Sequence, residues 1–319
     1  MNVFTDESGH FVESPNSEWG ILVVCTITDK ALGEFSTYYM NLLGENWPKA
    51  KASQLDFNTR RTLLKYIGRH PEIQYSAFIY DYKSTSGDSI SSHKLGQVKK
   101  LEEAIERTRP IAKHQSLITS LELLRNQLRK LSSSDYLKVI MTFTYYKEWI
   151  QTFPFDYVYT NTSRDSWEMK HVFDMQNAPE KFVKLIYSLL YLTTNSLAGA
   201  NFPLYFPTEW PKDHPYFQNY HTSEGTDMRK LLSNRRCGDD TKDIGLKLPD
   251  LISNTLLRSI QRQNEIQWIK ILGYIKSSRS FLHKKGGRTG YYKTIAFPGG
   301  SDIHPSSKIK RHWDLMKQY

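Results

Sequence analysis

Cysteine is scarce in this chain: Cys25 and Cys237 are the only two, far apart and without a Cys-x-x-Cys spacing. That excludes a disulfide framework and a cysteine-rich zinc site. Long apolar runs are missing too. Ile21 to Thr28 is too short, and Phe182 to Ala200 is interrupted by Lys184, Tyr187, Ser188 and Asn195, whereas a membrane helix needs roughly 18 apolar residues. The first ten residues carry Asp6 and Glu7 rather than a basic segment followed by an apolar one, so no secretory signal is read and the cytoplasm is the expected compartment. No Walker A sequence, no His-Glu-x-x-His and no Gly-x-Ser-x-Gly occurs, which disfavours a P-loop ATPase, a zincin and an α/β-hydrolase. Internal repeats are not evident.

What is present is a globular composition with an excess of positive charge. The 319 residues are 39% hydrophobic and 24% charged, with 43 Lys+Arg against 33 Asp+Glu and a formal net charge of +10. Polyanionic partners follow as the first expectation. The excess is uneven: from Arg279 to Tyr319 nine basic residues face two acidic ones, with Tyr291, Tyr292 and Trp313 interleaved. Such a tail suits phosphate contacts with stacking rings, and equally a solvated surface.

Val3 to Thr5 and the β-branched run Trp19 to Thr28 predict a hairpin-like strand pair, turned at Glu13 to Ser17. Helices are expected at Ala31 to Leu43 and Asn58 to Ile67, then a strand at Ile73 to Tyr82. After a Ser/Gly-rich stretch, an apolar stripe of Leu101, Ile105, Leu121, Leu124 and Leu128 predicts charged helices over Lys94 to Leu131, continued by Tyr136 to Phe153. This reads as a helical insertion at about 90–153. Met169 to Phe173 is a short strand ending at Asp174, and Ala178 to Asn195 is an amphipathic helix. Phe202 to Phe206 is a candidate strand, and a Pro-, His- and Asp-rich loop runs from there to about Asp243. A last helix enters near Leu248-Pro249-Asp250 and buries Leu251, Ile252, Leu256 and Ile260. Strands alternating with helices argue an α/β domain over 1–263, with a basic C-terminal extension over 264–319.

Three aspartates fall at element boundaries: Asp6 after the first strand, Asp174 after a later one, and Asp250 in the first turn of a helix. Close carboxylates repel one another unless a divalent cation neutralises them, and Mg²⁺ or Mn²⁺ prefers oxygen ligands. Two such ions activate a water and stabilise the leaving oxygen of a phosphodiester. Each aspartate alone equally fits a cap or a turn.

Phe4-Thr5-Asp6-Glu7-Ser8-Gly9, Val172-Phe173-Asp174 before a helix, and Leu248-Pro249-Asp250-Leu251-Ile252-Ser253-Asn254 occur in that order. The pattern resembles domain-of-unknown-function family 3800, whose members look RNase H-like. The resemblance spans about residues 1–263, with the helical segment as an insertion. It implies a mixed five-stranded sheet of order 3-2-1-4-5 with strand 2 antiparallel to the rest. It further implies that Asp6, Asp174 and Asp250 form a catalytic, metal-binding set, which Glu7 joins only if the chain bends at Ser8-Gly9. One departure stands out: where members often carry Glu-x-Lys, this chain has Lys49-Ala50-Lys51-Ala52-Ser53. Either the correspondence is off there, or another acid such as Asp56 substitutes, or the site binds fewer metals. Lys51 then contacts a phosphate or is a solvated surface lysine.

Other constellations compete. Asp156 with Glu168-Met169-Lys170 matches the Asp…Glu-x-Lys pattern of restriction-type nucleases. His214 and His221, with Asp213, Asp239, Asp240 and Asp243, offer a base or metal ligands, although exposed loop histidines suffice. Gly286 to Gly290 is glycine-rich without the strand and helix that a phosphate loop needs. The expected function is a Mg²⁺- or Mn²⁺-dependent nuclease acting on DNA or RNA, with Lys51, Lys284, Lys285, Arg288 and Lys293 contacting nucleic acid. The alternative is a non-catalytic nucleic-acid- or protein-binding module. Either fits a component of a bacterial defence or mobile-element system whose helical insertion docks a partner.

Overall fold

Side-chain alternation along the first strand assigns the two faces of the sheet: Val3 packs into one apolar cluster and Phe4 into the other. The computed structural model describes residues 1–9, 19–81, 87–111, 115–153, 168–174, 180–197, 213–222, 225–276, 290–295 and 307–318. Its strands are β1 (Asn2–Gly9), β2 (Trp19–Ile27), β3 (Ile73–Asp81), β4 (Lys170–Asp174), the short β5 (His221–Thr222) and β6 (Gly225–Thr226), β7 (Arg235–Gly238) and β8 (Gly290–Ile295). Its helices are α1 (Asp29–Leu43), α2 (Phe57–Arg69), α3 (Gly87–Thr108), α4 (Gln115–Lys130), α5 (Ser133–Phe153), α6 (Glu180–Leu197), α7 (Pro215–Tyr220), α8 (Met228–Leu231), α9 (Lys247–Gln261), α10 (Ile266–Lys276) and α11 (Ser307–Gln318).

The sheet is mixed, in the order β7-β4-β1-β2-β3-β8. β2 runs antiparallel to β1 and β3, while β1–β4, β4–β7 and β3–β8 are parallel pairs. Five of these strands reproduce the expected order and the reversed second strand. The sixth, β8, was not expected: it comes from the basic C-terminal segment and pairs along β3 from Tyr75 to Tyr80. That segment therefore joins the sheet, and α11 packs on α9 and α10. The fifth strand is also not where the sequence suggested. Phe202 to Phe206 lies outside the described residues, and β7 falls within the stretch read as loop. Its four residues, Arg-Arg-Cys-Gly, carry no apolar alternation to mark them.

The sheet is covered on both faces, as an α/β core requires. One face carries α1, α2, α9, α10 and α11 over Phe4, Ile21, Val23, Cys25, Ala77 and Val172. The other carries α3 to α8 over Val3, Leu22, Val24, Phe78 and Phe173. β2 is buried along its whole length, which its continuous apolar sequence anticipates. α1 is capped by Thr28, whose Oγ1 accepts from the Ala31 N–H, and α2 by Asp56, which accepts from the Asn58 and Thr59 N–H groups. Among the described residues no helix is long and apolar enough to cross a membrane.

Two glycines set the junction between β1 and α9. Gly9 has φ +88°, and a Cβ there would stand 2.4 Å from the Trp19 carbonyl oxygen, so the last residue of the Asp-Glu-Ser-Gly motif must lack a side chain. Gly245, in the turn before α9, lies on the Phe4 ring, where an added Cβ would come within 2.1 Å of a ring carbon. This close approach brings the first turn of α9 down over β1. Gly245→Ala is therefore expected to lower unfolding free energy by roughly 1–3 kcal/mol through overpacking of a buried ring, read from urea denaturation; an unchanged midpoint would show that Phe4 yields freely.

Candidate functional site

Asp6 and Asp174 are brought together by strand register. The parallel β1–β4 pair ends at Thr5 opposite Phe173, so the next residues, Asp6 and Asp174, are neighbours at the carboxyl edge of the sheet. Alternation places them on the Phe4 and Val172 face, under α9. Asp250 comes to them from the first turn of α9. The motif serines fasten that arrangement: the Ser8 and Ser253 hydroxyls hydrogen-bond at 2.8 Å, joining the end of β1 to α9. Open α/β sheets place ligand sites at this edge.

The electrostatics follow from the proximity. Asp6 is 7% exposed, and its carboxyl is held well above the usual carboxylate range by burial first and then by the charges of Asp250 and Asp174. Opposing this is a neutral group, the Glu7 amide, which donates to Asp6 Oδ1 at 2.7 Å. Asp250 is raised by burial, while the Ala52 N–H, 2.9 Å from its Oδ2, and the ammonium groups of Lys247 and Lys51 pull it down.

A fourth carboxylate, Asp240, belongs to the same edge. Gly238 at the end of β7 pairs with Asp174, and Asp240 follows two residues on, 3% exposed. Its Oδ2 is contacted by the Lys51 ammonium and lies 3.4 Å from Lys247 Nζ. Its Oδ1 is buried with no hydrogen-bond partner among the described residues. Lys247 is itself buried and donates to the carbonyls of Pro48 and Ala50 at 3.2 and 2.9 Å. Sequence reading named Asp240 only beside the loop histidines. The usable signal was Gly-Asp-Asp after a strand, but β7 was too short and too polar to be recognised.

The remaining expectations divide. Lys51 is no plain surface lysine: burial alone would lower it, but the hydrogen bond and charge of Asp240, with Asp174 and Asp250, raise it. Lys49 is exposed. Asp56 does not substitute for a missing acid, because it is spent on the α2 cap. Glu7 takes another partner, although its charge adds to the rise of Asp6 and it is itself raised by burial and by Asp174. It points to the opposite face of the sheet, where its Oε1 is 2.6 Å from Lys138 Nζ of α5. That pair borders a cavity of about 20 Å³ that Thr5, Thr142, Asp6 and Asp174 also line. The two described members of the restriction-type pattern stand apart from the aspartates. Glu168, just before β4, accepts from Asn234 Nδ2, and Lys170, its first residue, reaches Asp29; they stand roughly 20 and 13 Å along the strand from Asp174. Asp156 lies outside the described residues, as do Lys284, Lys285, Arg288 and Gly286 to Thr289. Lys293 stands opposite Phe78 on β8. His214 is not an exposed loop histidine: it is 7% exposed, and its Nδ1 accepts from the Tyr216 N–H at 3.1 Å. The side chain of His221 lies outside the described residues.

The site's chemistry fits a hard divalent cation: its acids present only oxygen donors, Asp6 is raised by its neighbours, and Asp240 Oδ1 has no partner. Among the described residues no group of three or more His, Cys, Asp or Glu side chains is placed to hold a metal ion; the cations compensating the acids in this arrangement are Lys51 and Lys247. Comparison with protein families, with curated proteins and with solved structures finds no match, so the site is read from its own chemistry.

The raised carboxyl gives a pH dependence of defined sign. Folded protein keeps the Asp6 proton to higher pH than the unfolded chain, so stability in EDTA falls as pH rises from the ordinary carboxylate range to the raised value and then levels. Asp6→Asn is expected to flatten that fall and to raise Tm at neutral pH by a few degrees, checked by thermal melts across pH. Identical pH dependence in the two proteins would refute the buried, mutually repelling arrangement.

Proposed function

We propose that the protein is a Mg²⁺- or Mn²⁺-dependent nuclease built on an RNase H-like core. The observation that carries this reading is the convergence of Asp6 and Asp174, on adjacent parallel strands, with Asp250 from α9. These three would hold the metal, with Asp240 beside them. When bound, such a cation neutralises phosphate charge and supplies a water of lowered pKa.

The chain's own groups prepare the rest. The Glu7 amide fixes one oxygen of Asp6, and the Ala52 amide fixes one oxygen of Asp250, so two carboxylates are oriented by backbone rather than by mobile side chains. Lys51, with about a third of its side chain exposed, presents a positive group at the rim of the acid set, where a phosphate would approach. Tyr39, buried beside Asp250 and Asp240, keeps its phenol proton because burial and both charges oppose ionisation. It can donate to a site acid but does not act as a base.

A second reading, a non-catalytic nucleic-acid- or protein-binding module, is favoured by one observation: Lys51 and Lys247 already neutralise Asp240. Cleavage assays separate the two. Labelled single-stranded RNA, single-stranded DNA, duplex DNA and hybrid are incubated with Mn²⁺, Mg²⁺ or EDTA. Metal-dependent cutting is expected to drop at least about a hundredfold, or ~2.7 kcal/mol of barrier, in Asp6→Asn and in Asp250→Asn. Equal turnover in both variants would end the assignment. Metal-independent binding without cutting would favour the module.

A further inference from the structure

Asp250, Asn254, Arg258 and Arg262 follow one another on α9 at four-residue spacing and share one stripe of the helix. The stripe runs beside the segment between β2 and α2. Asp250 takes the Ala52 amide, Asn254 Oδ1 accepts from Arg60 at 3.1 Å, and Arg258 donates to the Ser53 carbonyl. It emerges at an open groove of about 730 Å³ between the end of α9, the start of α10 and the start of α11. Arg262, Lys308 and Arg311 line that groove with Gln261 and Asn264, and Glu265 is the one acid among its described lining residues.

Positive charge is crowded there beyond what Glu265 offsets. The guanidinium groups of Arg60, Arg258 and Arg262 lie 5.3, 5.3 and 6.0 Å from the centre of the Trp268 ring. Glu265 is shared between Arg262, at 3.4 Å, and the Trp268 indole N–H, at 2.9 Å. Lys308 stands 4.6 Å from the centre of the Trp19 ring, and Arg311 lies 3.5 Å from Asn264 Oδ1. Arg262 and Arg311 are exposed. Burial and the charge of Arg262 lower the Arg258 guanidinium, a mark of like charges without a full counter-charge. A ligand that relieves this carries several negative charges spaced along its length, because the cations come from two helices and extend back along α9.

We infer that this groove seats the sugar–phosphate backbone of a nucleic-acid strand, about 18 Å along α9 from Asp250, or some five nucleotide steps in a duplex. It rests on the nucleic-acid reading proposed above but not on cleavage. Arginine and lysine hold phosphate, and the amides of Gln261 and Asn264 add neutral hydrogen bonds, a mixture that positions a strand without reading its bases.

The test uses the full chain in EDTA, with labelled single-stranded DNA, single-stranded RNA and duplex DNA, titrated over a series of salt concentrations. Arg262→Glu/Arg311→Glu is expected to weaken binding at least about tenfold at low salt and to make the log–log salt slope shallower by about two. Arg262→Lys/Arg311→Lys, which keeps both charges, is expected to stay within about threefold of wild type. Wild-type affinity and slope in the glutamate variant would overturn the groove, as would equal loss in the lysine variant, which would mark a structural role. The nuclease reading fails separately. If wild type binds but cuts nothing, and the glutamate variant loses binding, the groove stands without the catalytic assignment. If Asp6→Asn abolishes cutting while the glutamate variant binds normally, catalysis stands and the groove does not. Absence of nucleic-acid binding by wild type overturns both.

Discussion

Gathering Asp6, Asp174, Asp240 and Asp250 at one sheet edge raises the electrostatic energy of the folded state, and the surrounding structure is arranged to tolerate it. Lys51 and Lys247 bring ammonium groups to Asp240, and backbone amides reach Asp6 and Asp250. Lys247 is held in turn by the carbonyls of Pro48 and Ala50. The segment between α1 and α2, the turn before α9 and the carboxyl edge of three parallel strands are thus tied to one another through charge. Compensation is uneven: Asp240 has two cations, whereas Asp6 has a single neutral amide and three repelling neighbours, Asp250, Asp174 and Glu7. Burial and like charge of this kind favour the protonated acid, which is why the Asp6 carboxyl is held well above the usual carboxylate range.

The sequence was most informative where hydrophobic periodicity and turn chemistry agreed. β1, β2 and β3 lie where alternation and β-branched runs placed them, and α9 starts where proline and an apolar stripe announced it. Asp174 and Asp250 were legible because one ends and the other opens such an element; Asp6, expected just after the first strand, lies within β1, which runs on to Gly9. Asp240 was not legible, since β7 has Arg235 and Arg236 where an apolar pattern would be needed, and parallel pairing with β4 is a long-range contact with no local trace. β8 escaped for the same reason: Gly-Tyr-Tyr-Lys-Thr-Ile lies in a basic context and becomes a strand by pairing with β3. Lys51 reads as a solvated lysine until the fold brings β7 beside it.

β1 serves both faces of the molecule through consecutive residues. Asp6 turns toward α9 and the acid set, while Glu7 turns toward α5 and meets Lys138, both largely buried. Burial raises the Glu7 carboxyl and Lys138 opposes the rise. One peptide therefore links the helical insertion to the candidate site, and the amide of that peptide is the group that orients Asp6. A shift of α5 relative to the sheet would be transmitted through one bond. α5 is thus joined to the candidate site through the Glu7–Lys138 pair.

The pairing of β8 with β3 also bears on how the chain reaches this fold. β3, Ile-Gln-Tyr-Ser-Ala-Phe-Ile-Tyr-Asp, has high strand propensity, and its outer hydrogen-bonding edge is satisfied by residues more than 200 positions later in the chain. During synthesis from the N-terminus, β1, β2 and β3 emerge long before β8, so the nascent sheet carries a bare, aromatic-rich edge for most of translation. Such an edge is a template for pairing between neighbouring nascent chains. Completion of the sheet therefore waits on residues made near the end of the chain, and every fold-stabilising contact of that edge is among the last to form.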